Sequence, residues 1–406
     1  MTIQLQKSLK ATLLLYAAAT SLFTTNVLLD RLAVSRSGNW VTVTSWIHRS
    51  GFYERQNASL FLTTTSQSNS VVHGHALPDL LFLQKAFGKT MQPTSITPYY
   101  YRASQTPDAD DITITTQITS DRFGVFAKLV DSYQGPISVT VHVTDSPERR
   151  DWTLAELGAL YSSHPLMSRW VDVHLIIDNF ERQFNMWRNV GRLFARTDYV
   201  FMLDVDFIVC RDLRQRLHND TKLMDILRKG ETALVLPAFE YIDQKNGLDA
   251  GLFPSRKEDL LSLVDQGETS MFHSGWELGH GNTDYPRWYK TRAGEHYPAK
   301  TYQHSYEPYF IMKKQGIPWC DERFVGYGAN KAACLFEIYL SRISLYVLSD
   351  DFLIHQSHMY PHEVRKNEAC NLKARRYNRK LYTRFPNETC ARWIDVKGSR
   401  TVAPCD

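Results

Sequence analysis

Hydrophobic and polar positions change rhythm three times along this chain. Residues 11–29 are an apolar run, Ala11 to Leu29, preceded by Lys7 and Lys10 and closed by Asp30-Arg31. Its length is about that of a bilayer-spanning helix. Thr12, Thr20, Ser21, Thr24, Thr25 and Asn26 dilute it. A signal anchor, a cleaved signal peptide and a plain amphipathic helix all fit such a run. Positive charge ahead of it and no small-x-small cleavage site behind it favour the anchor, with a short cytoplasmic tail at 1–10.

From about 30 to 110 the pattern is irregular and polar, as in Thr63-Thr64-Thr65-Ser66-Gln67-Ser68-Asn69-Ser70. This is expected as a stem or accessory region. The acidic stretch Pro107-Asp108-Ala109-Asp110-Asp111 closes it.

Beyond it, short β-rich runs alternate with helical patterns. Ile112 to Thr119 alternates as a strand does. Asp121 then reads as the cap of a helix carrying Phe123, Phe126, Ala127, Val130 and Tyr133, which Gly135-Pro136 ends. Strands follow at Ile137–Val143, Val171–Ile177, Tyr199–Leu203 and Thr232–Leu236. Helices lie between them at Trp152–Ser163, Asn185–Arg196 and Leu213–Arg228. Such alternation predicts an α/β domain over 111–390, a Rossmann-like, mostly parallel sheet flanked by helices, with a short tail at 391–406. Ligands of such sheets sit at the carboxyl ends of the strands.

That expectation singles out Asp204-Val205-Asp206, which follows five apolar residues. In an extended strand the two carboxylates would face opposite sides. A bend at the strand end lets both approach one cation. Hard divalent ions such as Mn²⁺ and Mg²⁺ take oxygen ligands and bridge diphosphates. A lone D-x-D is common by chance and often only caps a strand. A phosphohydrolase of the haloacid dehalogenase type also carries D-x-D after a strand, but near the start of its domain and with Thr or Val where this chain has Ile208.

Composition narrows the classes. The chain has 406 residues, 43% apolar, and a formal net charge of +4. That charge excess is too small for a dedicated nucleic-acid binder. Asn57, Asn219 and Asn387 begin glycosylation sequons, and the six cysteines form no C-x-x-C pair. A lumenal protein with disulfides fits better than a zinc site. Cys210 reads as a buried thiol, and Cys370, Cys390 and Cys405 as bridge candidates. The basic stretch Glu363–Arg384 fits an anionic acceptor glycan, a membrane surface or the solvated face of a helix.

Further motifs occur in order: Trp187-Arg188-Asn189-Val190-Gly191, then Asp204-Val205-Asp206-Phe207 and Pro237-Ala238-Phe239-Glu240. Trp276, Gly279-His280 and Trp288 follow. Tyr306-Glu307-Pro308-Tyr309, then Asp321 through Lys331 and Ile354-His355 complete the series. Across residues 112–360 this series resembles glycosyltransferase family 49. The resemblance implies a GT-A fold, a UDP-sugar donor, Mn²⁺ (or Mg²⁺), a glycan acceptor, inversion at the anomeric carbon and a Golgi, type II membrane location. Its metal ligands match Asp204, Asp206 and His355. Arg188 and Asn189 match the donor pocket; the plain alternative is an exposed helix face. Gly326 and Gly328 form a loop that lets backbone approach the sugar, with Asn330 and Lys331 beside it; the plain alternative is a turn before a helix. Lys331 would hold donor phosphates or a sugar carboxylate. Trp276 and Trp288 are possible stacking platforms or core residues.

An inverting transfer needs a general base. After the glycine loop stands Asn330, which cannot serve. The candidates are Asp321, Glu322, Glu307 and Asp284, with Asp321 first among them. Two features depart from the two-domain members of the family: there is room here for one catalytic domain, and Ala329 replaces an aromatic residue. The expected activity is glucuronic acid transfer. An inactive glycan-binding protein of the same fold is the alternative from another class.

Overall fold

The computed structural model describes residues 93–180, 182–209, 212–300, 302–358 and 372–397. The expected cytoplasmic tail, anchor and most of the stem lie outside them, as do Cys210, Cys370, Cys405 and the end of the C-terminal tail. No helix among the described residues is long and apolar enough to cross a membrane.

The expected strands form β2 (Ile112–Ile118), β3 (Ile137–Thr144), β4 (Val171–Asp178) and β5 (Tyr199–Met202). They pair in parallel in the order β4-β3-β2-β5. Helices α1 (Phe123–Tyr133), α2 (Pro147–Ser163), α3 (Pro165–Trp170) and α4 (Phe184–Phe194) connect them. Both faces of β2 are buried, Thr113, Thr115 and Thr116 as well as its isoleucines. Burying such hydroxyls is costly unless they are paired, and the Thr116 hydroxyl has no hydrogen-bond partner among the described residues. Thr113 meets the Thr197 hydroxyl at 2.6 Å. The helix after β2 starts differently from expectation. A short 3-10 turn, Ser120–Arg122, precedes α1, so Asp121 lies inside that turn and does not cap the helix.

The sheet as a whole is mixed, where a mostly parallel one was expected. Strand β11 (Tyr309–Lys313) enters between β5 and β7 (Thr232–Leu236), antiparallel to both. β12 (Ser344–Leu348) pairs with β7 in parallel. Both edges are antiparallel, β1 (Ser95–Tyr101) on β4 and β10 (His296–Pro298) on β12. β1 falls within the segment expected as stem. The expected single helix 213–228 is two, α5 (Leu213–Asn219) and α6 (Thr221–Lys229). Asp220 separates them, and its carboxylate accepts the Lys222 and Leu223 amides as an N-cap.

A second sheet orders β6 (Phe207–Val209), β13 (Leu353–His355), β8 (Ala238–Tyr241) and β9 (Thr269–Met271). The register of β13 on β6 sets His355 opposite Phe207. A turn of four residues from β5 to β6 therefore lies beside the end of β13, and that turn contains Asp204-Val205-Asp206.

On one side of the main sheet Ile114, Leu129, Val139, Val173 and Phe201 form a core. On the other, Val200, Val235, Trp288, Phe310, Phe336, Phe385 and Trp393 form a second. Each fully buried ring contributes roughly 2–3 kcal/mol of transfer free energy. Helices α7 (Lys257–Asp265), α8 (Glu277–His280) and α9 (Tyr285–Trp288) precede α10 (Asn330–Leu340) and α11 (Leu372–Lys397), and the last two pack together there. Within α11, past the boundary expected at 390, Trp393 is buried. Arg376, Arg379 and Lys380 of the same helix are solvated. Cys320 and Cys334 form a disulfide, a pairing not expected from the sequence, and Cys390 is disulfide-bonded as well.

Candidate active site

Strand β5 ends at Met202, and the Leu203 amide still bonds the Thr115 carbonyl of β2. The backbone then turns, and the Phe207 amide closes on the Asp204 carbonyl. This bend lets the two aspartates diverge toward different partners on neighbouring elements.

Asp206 faces two imidazoles. Its Oδ2 lies 3.5 Å from His355 Nε2 and 3.3 Å from His358 Nε2. Ligand atoms of the three lie within 4.8 Å of one another. The Asp206 carbonyl also accepts the Gln356 amide, which ties the segment after β13 to the turn. Burial alone would raise the Asp206 carboxyl; hydrogen bonds from His355 and His358 outweigh it and hold the group far below its usual range. Phe207 and Phe272 wall the His355 ring, with centroids at 5.3 and 4.9 Å. His355 Nδ1 is buried and has no hydrogen-bond partner. Arg122 Nη1 lies 2.6 Å from His358 Nδ1.

Asp204 turns to β11 and α10. Its Oδ2 accepts from Tyr309 Oη at 2.9 Å and from Lys331 Nζ at 3.0 Å. Arg188 Nη2 lies 3.6 Å from its Oδ1. Burial pushes this carboxyl up, and the charges of Lys331 and Arg188 bring it below its ordinary value despite the opposing charge of Asp206.

Arg188 and Asn189 are buried on α4; neither forms an exposed helix face. Arg188 Nη1 donates to Asn185 and Asn330 at 3.0 and 2.7 Å. Asn189 donates to the Cys320 carbonyl and Glu322, and accepts the Cys320 amide. Gly326 and Gly328 both adopt positive φ, 74° and 102°, which only glycine takes without strain. Their loop is held by backbone and side chain alike: the Gly326 amide bonds the Arg182 carbonyl, and Asn378 of α11 donates to Val325, Tyr327 and Gly328. The loop thus delivers Asn330 and Lys331 to the first turn of α10.

The sequence profile of glycosyltransferase family 49, described as glycosyl-transferase for dystroglycan, matches residues 111–183 and 178–394. The chain belongs to glycosyltransferase family 49. Mouse xylosyl- and glucuronyltransferase LARGE2 is 32% identical over 254 residues, 62% of this chain. Human xylosyl- and glucuronyltransferase LARGE1 is 28% identical over 282 residues, 68% of this chain. This family 49 chain spans about a third of the length of these curated relatives, 35% of each. Among solved structures, GalNAc-T7 with UDP, GalNAc and Mn²⁺ aligns with a TM-score of 0.38 at 13% identity, over 60% of this chain and 43% of that one. Staphylococcus aureus TarS aligns at 0.36 and 14%, over 69% of this chain and 72% of that one.

Of the residues singled out in this family 49 sequence, Asp204, Asp206, Arg188, Lys331 and His355 meet at the β5–β6 turn. Asn330 and Asn189 stand behind them as supports. The four carboxylates proposed as bases differ sharply. Asp321 is clamped by Arg323, whose Nη2 donates at 2.8 Å and whose Nε and backbone amide also bind it. Glu322 accepts from Asn189. Asp284 pairs with Lys300 at 3.0 Å. Glu307 carries electrostatic interactions with Lys331, Asp204 and Arg188; burial leads its upward shift, and the Ala332 amide binds it. Trp288 is fully buried, its indole N–H on the Leu348 carbonyl, while Trp276 is 57% exposed.

Two contributors escaped the sequence reading. His358 carried no role there; its signal is the H-x-x-H spacing from His355 directly after an apolar strand. Tyr309 belonged to a motif without a role, and its hydroxyl is on Asp204.

Proposed function

We propose that this chain is a metal-dependent inverting glycosyltransferase of GT-A type. It transfers a sugar, glucuronic acid, from UDP to a glycan acceptor in the Golgi lumen. One observation carries the reading. A carboxylate and two imidazoles converge at the end of a parallel strand block, and a lysine and an arginine converge on the carboxylate two residues earlier.

The donor set fits a divalent transition ion. One carboxylate oxygen and two ring nitrogens suit Mn²⁺ better than Mg²⁺, which prefers an all-oxygen shell. Asp206, His355 and His358 would hold it, with Asp204 adding negative charge beside them. Such an ion, when bound, neutralises the diphosphate that leaves. Lys331 and Arg188 supply fixed positive charge where the donor's phosphates or sugar carboxylate would lie. The glucuronyltransferase activity in the relatives' names is why an anionic sugar is preferred. Gly326 and Gly328 leave backbone room beside the sugar. Glu307 takes the proton of the acceptor hydroxyl as its oxygen attacks the anomeric carbon and the bond to the diphosphate breaks. Its desolvated position and its freedom from an arginine clamp set it ahead of Asp321. The Cys320–Cys334 disulfide supports an oxidising compartment.

The test is to incubate the protein with Mn²⁺ and a panel of UDP-sugars and follow UDP release with and without glycan acceptors. Asp206→Asn should abolish release. A wild-type protein that binds UDP and releases nothing from any donor would instead be the inactive glycan-binding form. Release of phosphate from simple monoesters would make it a phosphohydrolase.

A further inference from the structure

The segment 272–280 is anchored at both ends to the site and exposes a tryptophan between. At its start, Phe272 packs on His355 and on His280, at 4.9 and 5.2 Å between centroids. At its end, His280 stacks on Tyr309, whose hydroxyl binds Asp204. Between these anchors His273 takes a positive φ of 53°, and a 3-10 turn, Ser274–Trp276, follows. The Trp276 amide closes that turn on the His273 carbonyl at 2.7 Å. The turn projects the indole outward, and the neighbouring Leu278 is half exposed.

The indole is not loose. A Cβ built on Gly279 would meet Trp276 Cδ1 at 3.2 Å, so the ring leans against that glycine. The Gly279 carbonyl in turn accepts the Glu307 amide at 2.8 Å. One short path therefore links an exposed aromatic face, a glycine that seats it and the backbone of the residue assigned as base. Exposing most of an indole forfeits the burial that Trp187, Trp288 and Trp393 all achieve. Trp152 is equally exposed, on α2, which packs on β3, on α3 and on the Ser120–Arg122 turn.

We propose that Trp276 is the platform of the acceptor subsite. It stacks against the apolar C–H face of a β-linked pyranose, whose hydroxyl edge then points toward Glu307. This places Trp276 on the acceptor side, not in the donor pocket. The inference rests on the transferase reading above only for the word acceptor; the sugar contact itself is testable without turnover.

Saturation-transfer NMR on the full chain reads that contact directly. The probes are methyl β-xylopyranoside, methyl β-glucopyranoside and methyl β-galactopyranoside, with UDP and Mg²⁺ as a second ligand. The wild type should saturate H1, H3 and H5 of at least one glycoside. Trp276→Ala should weaken that contact about fivefold, the worth of one aromatic contact. Trp276→Phe should restore part of it. Trp152→Ala should change nothing, and the UDP signal should persist in all variants. Equal glycoside contact in wild type and Trp276→Ala overturns the proposal, as does absence of glycoside contact in the wild type. Joint loss of UDP and glycoside signals in Trp276→Ala also overturns it and returns Trp276 to the donor pocket. Trp276-dependent glycoside contact with no UDP contact in the wild type, and no UDP binding by calorimetry with Mn²⁺, keeps the platform and removes the transferase reading.

Discussion

The ammonium of Lys331 sits 3.0 Å from the Asp204 carboxylate while lying 3.4 Å from the centre of the Tyr309 ring, whose hydroxyl binds the same carboxylate. Lysine, aspartate and tyrosine thus form one unit, in which a cation is held by a charge and a π face together. Lys331→Ala should leave Asp204 partnered only by Tyr309 and the more distant Arg188. The expected result is a drop in kcat/KM for the UDP-sugar of about a hundredfold, near 2.7 kcal/mol. Steady-state kinetics with varied donor checks it. An unchanged KM and kcat would show that Lys331 only balances Asp204.

His358 is expected to behave as a ligand. His358→Ala should raise the Mn²⁺ concentration for half-maximal activity by about tenfold or more. Electron paramagnetic resonance of free Mn²⁺ gives the affinity independently of turnover. Equal affinity in the variant would reduce His358 to a partner of Arg122, its neighbour at 2.6 Å.

Glu307→Gln preserves shape and removes the base. The expected effect is a kcat lower by about 10²–10³ with UDP binding intact. Burial and the nearby Asp204 charge raise the Glu307 carboxyl above its ordinary 4.5, although Lys331 opposes them. The acid limb of the pH–rate profile should therefore lie above that value and disappear in the variant. Asp321→Asn is the counter-experiment. It breaks the clamp on Arg323 and should lower stability more than kcat.

His174 offers a pH-dependent test of the fold away from the site. It is fully buried on β4, bonded to the Tyr99 amide and to Ser138, and burial lowers it from 6.5 to about 3. Between those values the unfolded chain binds the proton and the folded chain does not. The contribution of neutral His174 is complete above pH 6.5 and is lost as the pH falls toward 3. At pH 5 the loss is about 2 kcal/mol. Denaturant titrations at several pH values should show this slope in the wild type and a shallower one in His174→Gln.

Strands β2 to β5 and β7 were legible because their apolar runs are local and bounded by turn residues. The break at Asp220 was not, since an aspartate in a helical pattern reads as its polar face until its carboxylate is seen capping the next turn. The place of β11 was equally hidden. Tyr309 to Lys313 is an unremarkable apolar run, and only its distant partners, Phe201 and Leu234 among them, make it the antiparallel insertion. At the site the D-x-D turn is legible because it ends an apolar strand, while Lys331 and His355 are singled out by the family 49 resemblance. The choice among four carboxylates could not be read, for it depends on which of them an arginine, a lysine or an asparagine already holds. The same limit applied to Trp276 and Trp288, two similar letters of which one fills the core.

The bridge between Cys320 and Cys334 spans 14 positions of sequence and encloses the glycine loop, Asn330 and Lys331. The loop is therefore the rim of a covalent ring. A protease that cuts at the exposed Tyr327 would leave two polypeptides still joined through the sulfur atoms. On a non-reducing gel such a nicked protein should run as one band, and with a thiol present as two.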